Sequence, residues 1–248
     1  MRYAVLSDVH GNLEALTAVL ADAASEGALG ILCMGDTVGY GADPVPCIEL
    51  LGERSFRHVA GNHEHGALGL VNLQWFNPAA RAAALWTAER LDTDHLQYLS
   101  GLPLVAVIGE ATCVHASPRR PAEWDYLLSA EDGFLVFGDF PTRLCFVGHS
   151  HRPAVWSLGS GGPAHEDLGG AACHDHRTTF RDGRRYVVNV GSVGQPRDRD
   201  PRAAYVVWDE DERTVRLRRV PYDHRAAAAK ILRAGLPRVL ADRLAYGV

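Results

Sequence analysis

No stretch of this sequence reaches the roughly 18 apolar residues that a bilayer-crossing helix needs. The chain also enters a strand-like run at once, with no charged and apolar leader ahead of it. Both absences lead us to expect a cytoplasmic protein with no membrane contact. Cysteine is scarce and odd in number, five with no C-x-x-C pair, so the sequence holds no disulfide framework. Cys33, Cys113 and Cys145 lie inside apolar runs and read as reduced packing residues rather than metal ligands. Basic charge is not in excess: a formal charge of −5 argues against a surface dedicated to nucleic acid. No linker, internal repeat or activated Ser or Cys nucleophile stands out. With 248 residues, 47% hydrophobic and 22% charged, the chain can bury a substantial core. One domain over 1–248 is expected, with helices in 223–247 packed on it or forming a dimer contact.

What is present is a succession of short apolar runs, each stopping on a polar residue. Ala4-Val5-Leu6 leads into Ser7-Asp8-Val9-His10, and Ile31-Leu32-Cys33-Met34 into Gly35-Asp36. Phe56 to Ala60 leads into Gly61-Asn62-His63-Glu64, Ala111 to Val114 into His115, and Leu144 to Val147 into Gly148-His149-Ser150-His151. On an extended backbone, residues two apart leave the same face, so Asp8 can converge with His10, and His149 with His151. Carboxylate and imidazole together suit Mn, Fe or Zn. Glycine before Asp36, Asn62 and His149 fits a backbone crowded against a metal or phosphate, where a Cβ has no room. One such run alone is more often a core strand ending at the surface; five in succession point to a shared rim.

Between the runs, Asn12 caps an expected helix that stops at Gly27, and Asp43-Pro44 opens another. His65 to Leu73, Pro78 to Leu91 and Asp94 to Leu99 read as helical, with Trp75 and Phe76 in a bend where core packing is the favoured role. Gly109-Glu110 joins two strands as a tight hairpin, and Ala116 to Pro121 is a loop carrying Arg119 and Arg120. The Gly- and His-rich segment 159–176 reads as a loop or hairpin tip, in which Cys173, His174 and His176 are a weak candidate for a further metal site. A hairpin over Ala203 to Val220 and two helices, opened by Asp223 and Pro237, complete the chain.

The set D-x-H, G-D, G-N-H-E, H and G-H-x-H, spanning Asp8 to His151, resembles the calcineurin-like metallophosphoesterase superfamily. Gly35 to Gly41 and Asn189-Val190-Gly191-Ser192 are similar to its small prokaryotic phosphoesterase branch. The resemblance implies an α/β (α+β) fold, a two-sheet β-sandwich flanked by helices in four αββα layers; the element pattern alone leaves a doubly wound sheet equally open. It implies two divalent ions, Mn, Fe, Zn or Ni, about 3.5 to 4 Å apart. One is held by Asp8, His10, Asp36 and His151, the other by Asp36, Asn62, His115 and His149, with Asp36 bridging. The implied reaction is direct attack of a metal-bridging hydroxide on a phosphodiester or small phosphomonoester, with His63 and Asp36 as catalytic residues and Glu64 either orienting His63 or making a surface salt bridge.

Related Ser/Thr protein phosphatases carry arginines where this chain has Tyr40 and Ala60, which weighs against a phosphoprotein substrate. Arg119, Arg120, Arg197 and Tyr40 are then the candidate phosphate contacts. The expected partner is a small phosphate ester, a nucleotide among the candidates, and a homo-oligomer is left open. The alternatives are a dinucleoside polyphosphate hydrolase, a protein phosphatase, or a non-catalytic metal-binding scaffold for a partner protein.

Overall fold

In the computed structural model, residues 1–173 and 175–248 are described. The apolar runs become strands of two six-stranded mixed sheets. The first sheet contains β1 (Arg2–Leu6), β2 (Gly30–Cys33), β3 (Ser55–His58), β9 (Arg177–Thr179), β11 (Ala203–Asp209) and β12 (Thr214–Val220), in the order β3-β2-β1-β11-β12-β9. The second contains β4 (Val105–Ile108), β5 (Ala111–Val114), β6 (Leu144–Val147), β7 (Ala154–Gly159), β8 (Ala164–Asp167) and β10 (Arg184–Asn189), in the order β4-β5-β6-β10-β7-β8. In the first, β1, β2 and β3 run parallel; in the second, β5, β6 and β10 do. The two parallel triplets thus end at the same rim, the usual place for chemistry in open α/β sheets.

The sheets face each other. Val5, Leu32 and Trp208 of the first pack with Cys113, Phe146 and Val188 of the second in one dry layer. Ala4 and Leu6, the alternate residues of β1, point the other way onto Leu16 and Val19 of helix α1 (Leu13–Ser25). Strands buried on both faces explain the near-continuous apolar runs. Fully burying a Leu or Phe side chain contributes roughly 1.5–3 kcal/mol, so this inner layer is the main restraint on how the two rims meet.

Helix α2 (Pro44–Arg54) covers the first sheet beside α1, while α3 (Asn62–Ala67), α4 (Pro78–Ala88) and α5 (Thr93–Ser100) follow β3. Helix α6 (Ala130–Leu135), with Phe137 and Phe140 just beyond it, backs the second sheet. Helices α7 (His224–Arg233) and α8 (Arg238–Asp242), with the 3-10 turn Arg243–Ala245 that follows, bring Ile231, Leu240 and Leu244 against Tyr40 and Ala83.

Most boundaries fall within a residue or two of expectation, and the exceptions are informative. α3 runs from Asn62 to Ala67 rather than from His65 to Leu73: Glu64 returns to accept the Gly61 amide at 2.7 Å and closes the first turn, and the chain leaves the helix before Gly69, whose φ is 70°. The segment 159–176 is less loop-like than its composition suggests, since β8 pairs with β7 across it. His174 lies outside the described residues, and His176 pairs with Glu166 at 3.0 Å. No described helix is long and apolar enough to cross a membrane.

Candidate metal centre

Loops leaving β1, β2 and β3 on one sheet and β5 and β6 on the other carry all seven candidate ligands to one place. Every one is buried. Asp8, His10 and His151 offer ligand atoms within 4.8 Å of one another, and so do Asp36, His115 and His149. Asn62 Oδ1 lies 3.2 Å from His115 Nε2 and joins the second group. Asp36 links the two: its Oδ2 is 3.2 Å from His115 Nε2 and 3.7 Å from His10 Nε2. Its Oδ1 accepts the His63 amide at 2.9 Å, so a single oxygen faces both groups.

The backbone that delivers these residues is not extended. Asp8, His10, Asp36, His149 and His151 all have positive φ, between 50° and 64°. The pairs therefore do not share a face by strand alternation, and His149 and His151 go to different groups. Crowding is severe, as the glycines suggested. A Cβ on Gly61 would lie 2.1 Å from Asp36 Oδ1, and one on Gly148 would lie 1.9 Å from Ser7 Oγ.

Three imidazoles are oriented by main-chain carbonyls. His10 Nδ1 donates to Val38 O at 3.0 Å, His115 Nδ1 to Met34 O at 2.7 Å, and His151 Nδ1 to Gln195 O at 2.5 Å. A carbonyl only accepts, so each Nδ1 carries a proton and each Nε2 points inward, offering a lone pair wherever the ring is neutral. His10 Nε2 and His151 Nε2 then face each other at 3.1 Å, with Asp8 Oδ1 3.3 Å from the latter and without a hydrogen-bond partner. Buried acceptors converging with no donor between them are costly alone and suited to a shared cation. The donor set, nitrogen and oxygen without sulfur, fits Mn, Fe, Zn or Ni.

Burial also acts on the charges. It pushes His149 down to about 3 and His151 well below the usual imidazole range, keeping both neutral. Burial would lower His115 too, but Asp36, Asp8 and the Met34 carbonyl together outweigh it and lift that imidazole to about 9, so a cation held there would displace its Nε2 proton. Against burial, which favours the neutral acid, His115 and His63 hold Asp36 well below the carboxylate range.

Glu64 has neither of its expected roles. Fully buried, its carboxylate accepts the amides of Asp36 at 2.8 Å, Thr37 at 2.7 Å, Val38 at 3.2 Å and Gly61 at 2.7 Å. It ties the loop after β2 to the loop after β3 and does not touch the His63 ring. That ring is held by Tyr40, His10 and Phe76 at centroid distances of 4.5, 4.8 and 5.1 Å. It reaches back towards His10 and Asp36 rather than pointing clear of the cluster. Nδ1 is packed against Gly39 with no partner, which leaves Nε2 to serve the adjoining space.

That space is a cavity of about 370 Å³ floored by Asp36, Asn62, His63, His149 and His151. Aromatic walls surround it: Tyr40, Trp75, Phe76, Trp124 and Tyr126, with Tyr126 stacked on His149 at 4.0 Å. Trp75 is 81% exposed, a cavity rim and not the core residue expected. Of the arginines, only Arg197 lines the cavity. Arg120 pairs with Glu123, itself a lining residue, and with Asp125 at 2.7 and 3.2 Å, and neither it nor Arg119 lines the cavity. Val190 donates its amide to Val147 O at 2.9 Å and so extends the ladder with β6, a bond that a proline at this position would forbid. Sequence reasoning missed Gln195, whose carbonyl fixes His151, and the aromatics of 124–126, which lie in a loop with no periodicity to mark them.

Comparison with known proteins supplies the context. The family model described as the calcineurin-like phosphoesterase superfamily domain matches residues 1–213. The uncharacterised protein MJ0912 of Methanocaldococcus jannaschii is 39% identical over 249 residues, covering 98% of this chain and 97% of its own. A metallophosphoesterase from Sphaerobacter thermophilus, known as a crystal structure, is 41% identical with a TM-score of 0.86, covering 100% of this chain and 99% of its own. The hypothetical protein PH1004 of Pyrococcus horikoshii shares the fold at 20% identity, with a TM-score of 0.76 and coverage of 100% and 98%.

Proposed function

We propose that this chain, which belongs to the calcineurin-like phosphoesterase superfamily, hydrolyses phosphodiesters with the help of two divalent metal ions. The observation that carries this reading is the pair of buried nitrogen and oxygen clusters joined through Asp36 Oδ2 at the floor of an open, aromatic-walled cavity. Asp8, His10, Asp36 and His151 would hold one ion; Asp36, Asn62, His115 and His149 would hold the other. Two such ions, when bound, neutralise phosphoryl oxygens and lower the pKa of water towards roughly 7.

The chain's own groups do the remaining work. Asn62 adds a neutral oxygen, which limits the negative charge that meets an anionic substrate. Arg197, with no side-chain carboxylate among the described residues bonded to it, supplies one positive charge in the wall. One charge matches the monoanionic phosphodiester better than a dianionic monoester. The aromatic walls accept the organic arms of the ester and exclude water around them. As the phosphoryl anion enters, it favours the protonated His63 imidazole, and the proton passes from Nε2 to the departing ester oxygen.

Protein reconstituted with Mn²⁺ should hydrolyse bis-p-nitrophenyl phosphate faster than p-nitrophenyl phosphate. Turnover of neither by metal-replete protein removes the proposal. His63→Ala should keep its metal content by elemental analysis while losing at least about a hundredfold in turnover, the scale of a positioned general acid; undiminished turnover takes that role from His63.

A further inference from the structure

We infer that Arg243, near the end of the chain, is a positioning residue for the cavity: it braces Arg197 through Gln195, and the turn at Gly247 locks the brace. The inference rests on the proposed reading of Arg197 as the phosphate-facing charge. It concerns residues beyond 213, where the family match ends.

Gln195 Oε1 is the hub. It accepts from Arg197 Nη2 at 2.9 Å and Nε at 3.3 Å, and from Arg243 Nη1 at 3.1 Å. Two guanidinium groups on one neutral oxygen fix which end of the amide faces the cavity wall, because an inward NH₂ would oppose three donors. Arg197 Nη2 also donates to Tyr40 Oη at 3.2 Å, and its guanidinium lies over the Tyr40 ring at 5.6 Å. The nearest acidic neighbour in sequence, Asp198, is committed to the fully buried Arg219. Arg197 is therefore restrained by neutral acceptors, and its charge remains uncompensated for an incoming anion.

The end of the chain holds this arrangement from outside. Arg243 Nε donates to the carbonyl oxygen of Val248, and Arg199 N donates to Gly247 O at 2.7 Å. Arg199 has a φ of 66°, so the tail pins the loop at a residue that would otherwise relax. Gly247 has a φ of 62°, and a Cβ there would lie 2.6 to 2.7 Å from the Asp200 backbone, so no other residue docks as closely. The same terminal helices pack Leu240 and Leu244 into the cluster that contains Tyr40. One element thus steadies both walls that contact Arg197. A long arginine held in place before its ligand arrives loses less rotamer freedom on binding.

The test is a double-mutant cycle on the metal-loaded full chain with bis-p-nitrophenyl phosphate. Arg243→Ala should raise KM about tenfold, the scale of freeing one rotamer-rich side chain, with kcat within about twofold. In an Arg197→Ala background, Arg243→Ala should add no further change, since coupled residues are not additive. Gly247→Ala keeps every charge, and should raise KM similarly while speeding hydrogen exchange at the Arg199 amide. An unchanged KM in Arg243→Ala, or additive effects in the cycle, overturns the brace. If the wild-type protein turns over no ester, the proposed function falls; the exchange measurement then decides the tail contact alone, and an unprotected Arg199 amide overturns it.

Discussion

Asp8, His10, Asp36, His149 and His151 all occupy left-handed backbone conformations. Asp and His enter that region more readily than most side chains, yet each such residue costs on the order of 1–3 kcal/mol. Something must hold them there, and Glu64 is the clearest restraint, with four amides converging on its carboxylate. Glu64→Gln keeps the volume and turns one oxygen into a donor facing amide hydrogens. At about 1–3 kcal/mol for each donor left unpaired, it should lower stability by roughly 2–5 kcal/mol and reduce divalent-ion affinity, read by denaturant melts and metal titration. Unchanged stability would mean that the loop holds itself. The ligand residue types were legible in sequence because each follows an apolar run. Their left-handed geometry was not, because it is accompanied by contacts from partners distant in the chain, Glu64 to the Asp36 amide, the Val38 carbonyl to His10 and the Gln195 carbonyl to His151.

At the scale of elements, β3 and α5 meet through one buried imidazole. His58 Nε2 lies 2.9 Å from Thr37 Oγ1, and His58 Nδ1 lies 2.9 Å from Tyr98 Oη. Burial lowers its pKa to about 4. The folded protein keeps His58 neutral while the unfolded chain protonates it near 6.5, so this contribution is complete above about pH 6.5 and is lost as pH falls towards about 4. The full difference is about 3 kcal/mol. His58→Gln should show a shallower loss of stability between pH 7 and pH 4 than the parent, measured by urea unfolding at each pH; other buried histidines remain in both and cancel. Parallel pH profiles would exclude His58 as the source. Helix starts at Asn12, Pro44, Pro78 and Asp223 were readable because capping and proline chemistry is local. The edge strands β8 and β9 were not, since short polar strands are set by their neighbours and not by an apolar pattern.

For the whole molecule, the layout of two facing sheets was the least legible feature in composition and periodicity. Val5 and Leu6 belong to opposite faces of β1, yet both are simply apolar in sequence, so a run buried on two sides reads the same in a single wound sheet as in a sandwich. The resemblance of the ligand set supplied what the pattern could not. Because both candidate clusters draw on loops from both sheets, a bound ion should strengthen the assembly as a whole. At a free-ion concentration about a hundredfold above Kd, one site contributes about 2.7 kcal/mol, or a rise in Tm of roughly 5–10 °C for a chain of this size. Calorimetry of Mn²⁺-loaded against EDTA-treated protein measures it, and coincident transitions would argue against tight metal binding.

Asp8 and His10 arrive from one sheet and His151 from the other; Asp36 likewise waits for His115 and His149. Neither half of the molecule owns a complete nest. During refolding, the capture of a cation would therefore act as a clock, striking only when the two layers have closed on each other.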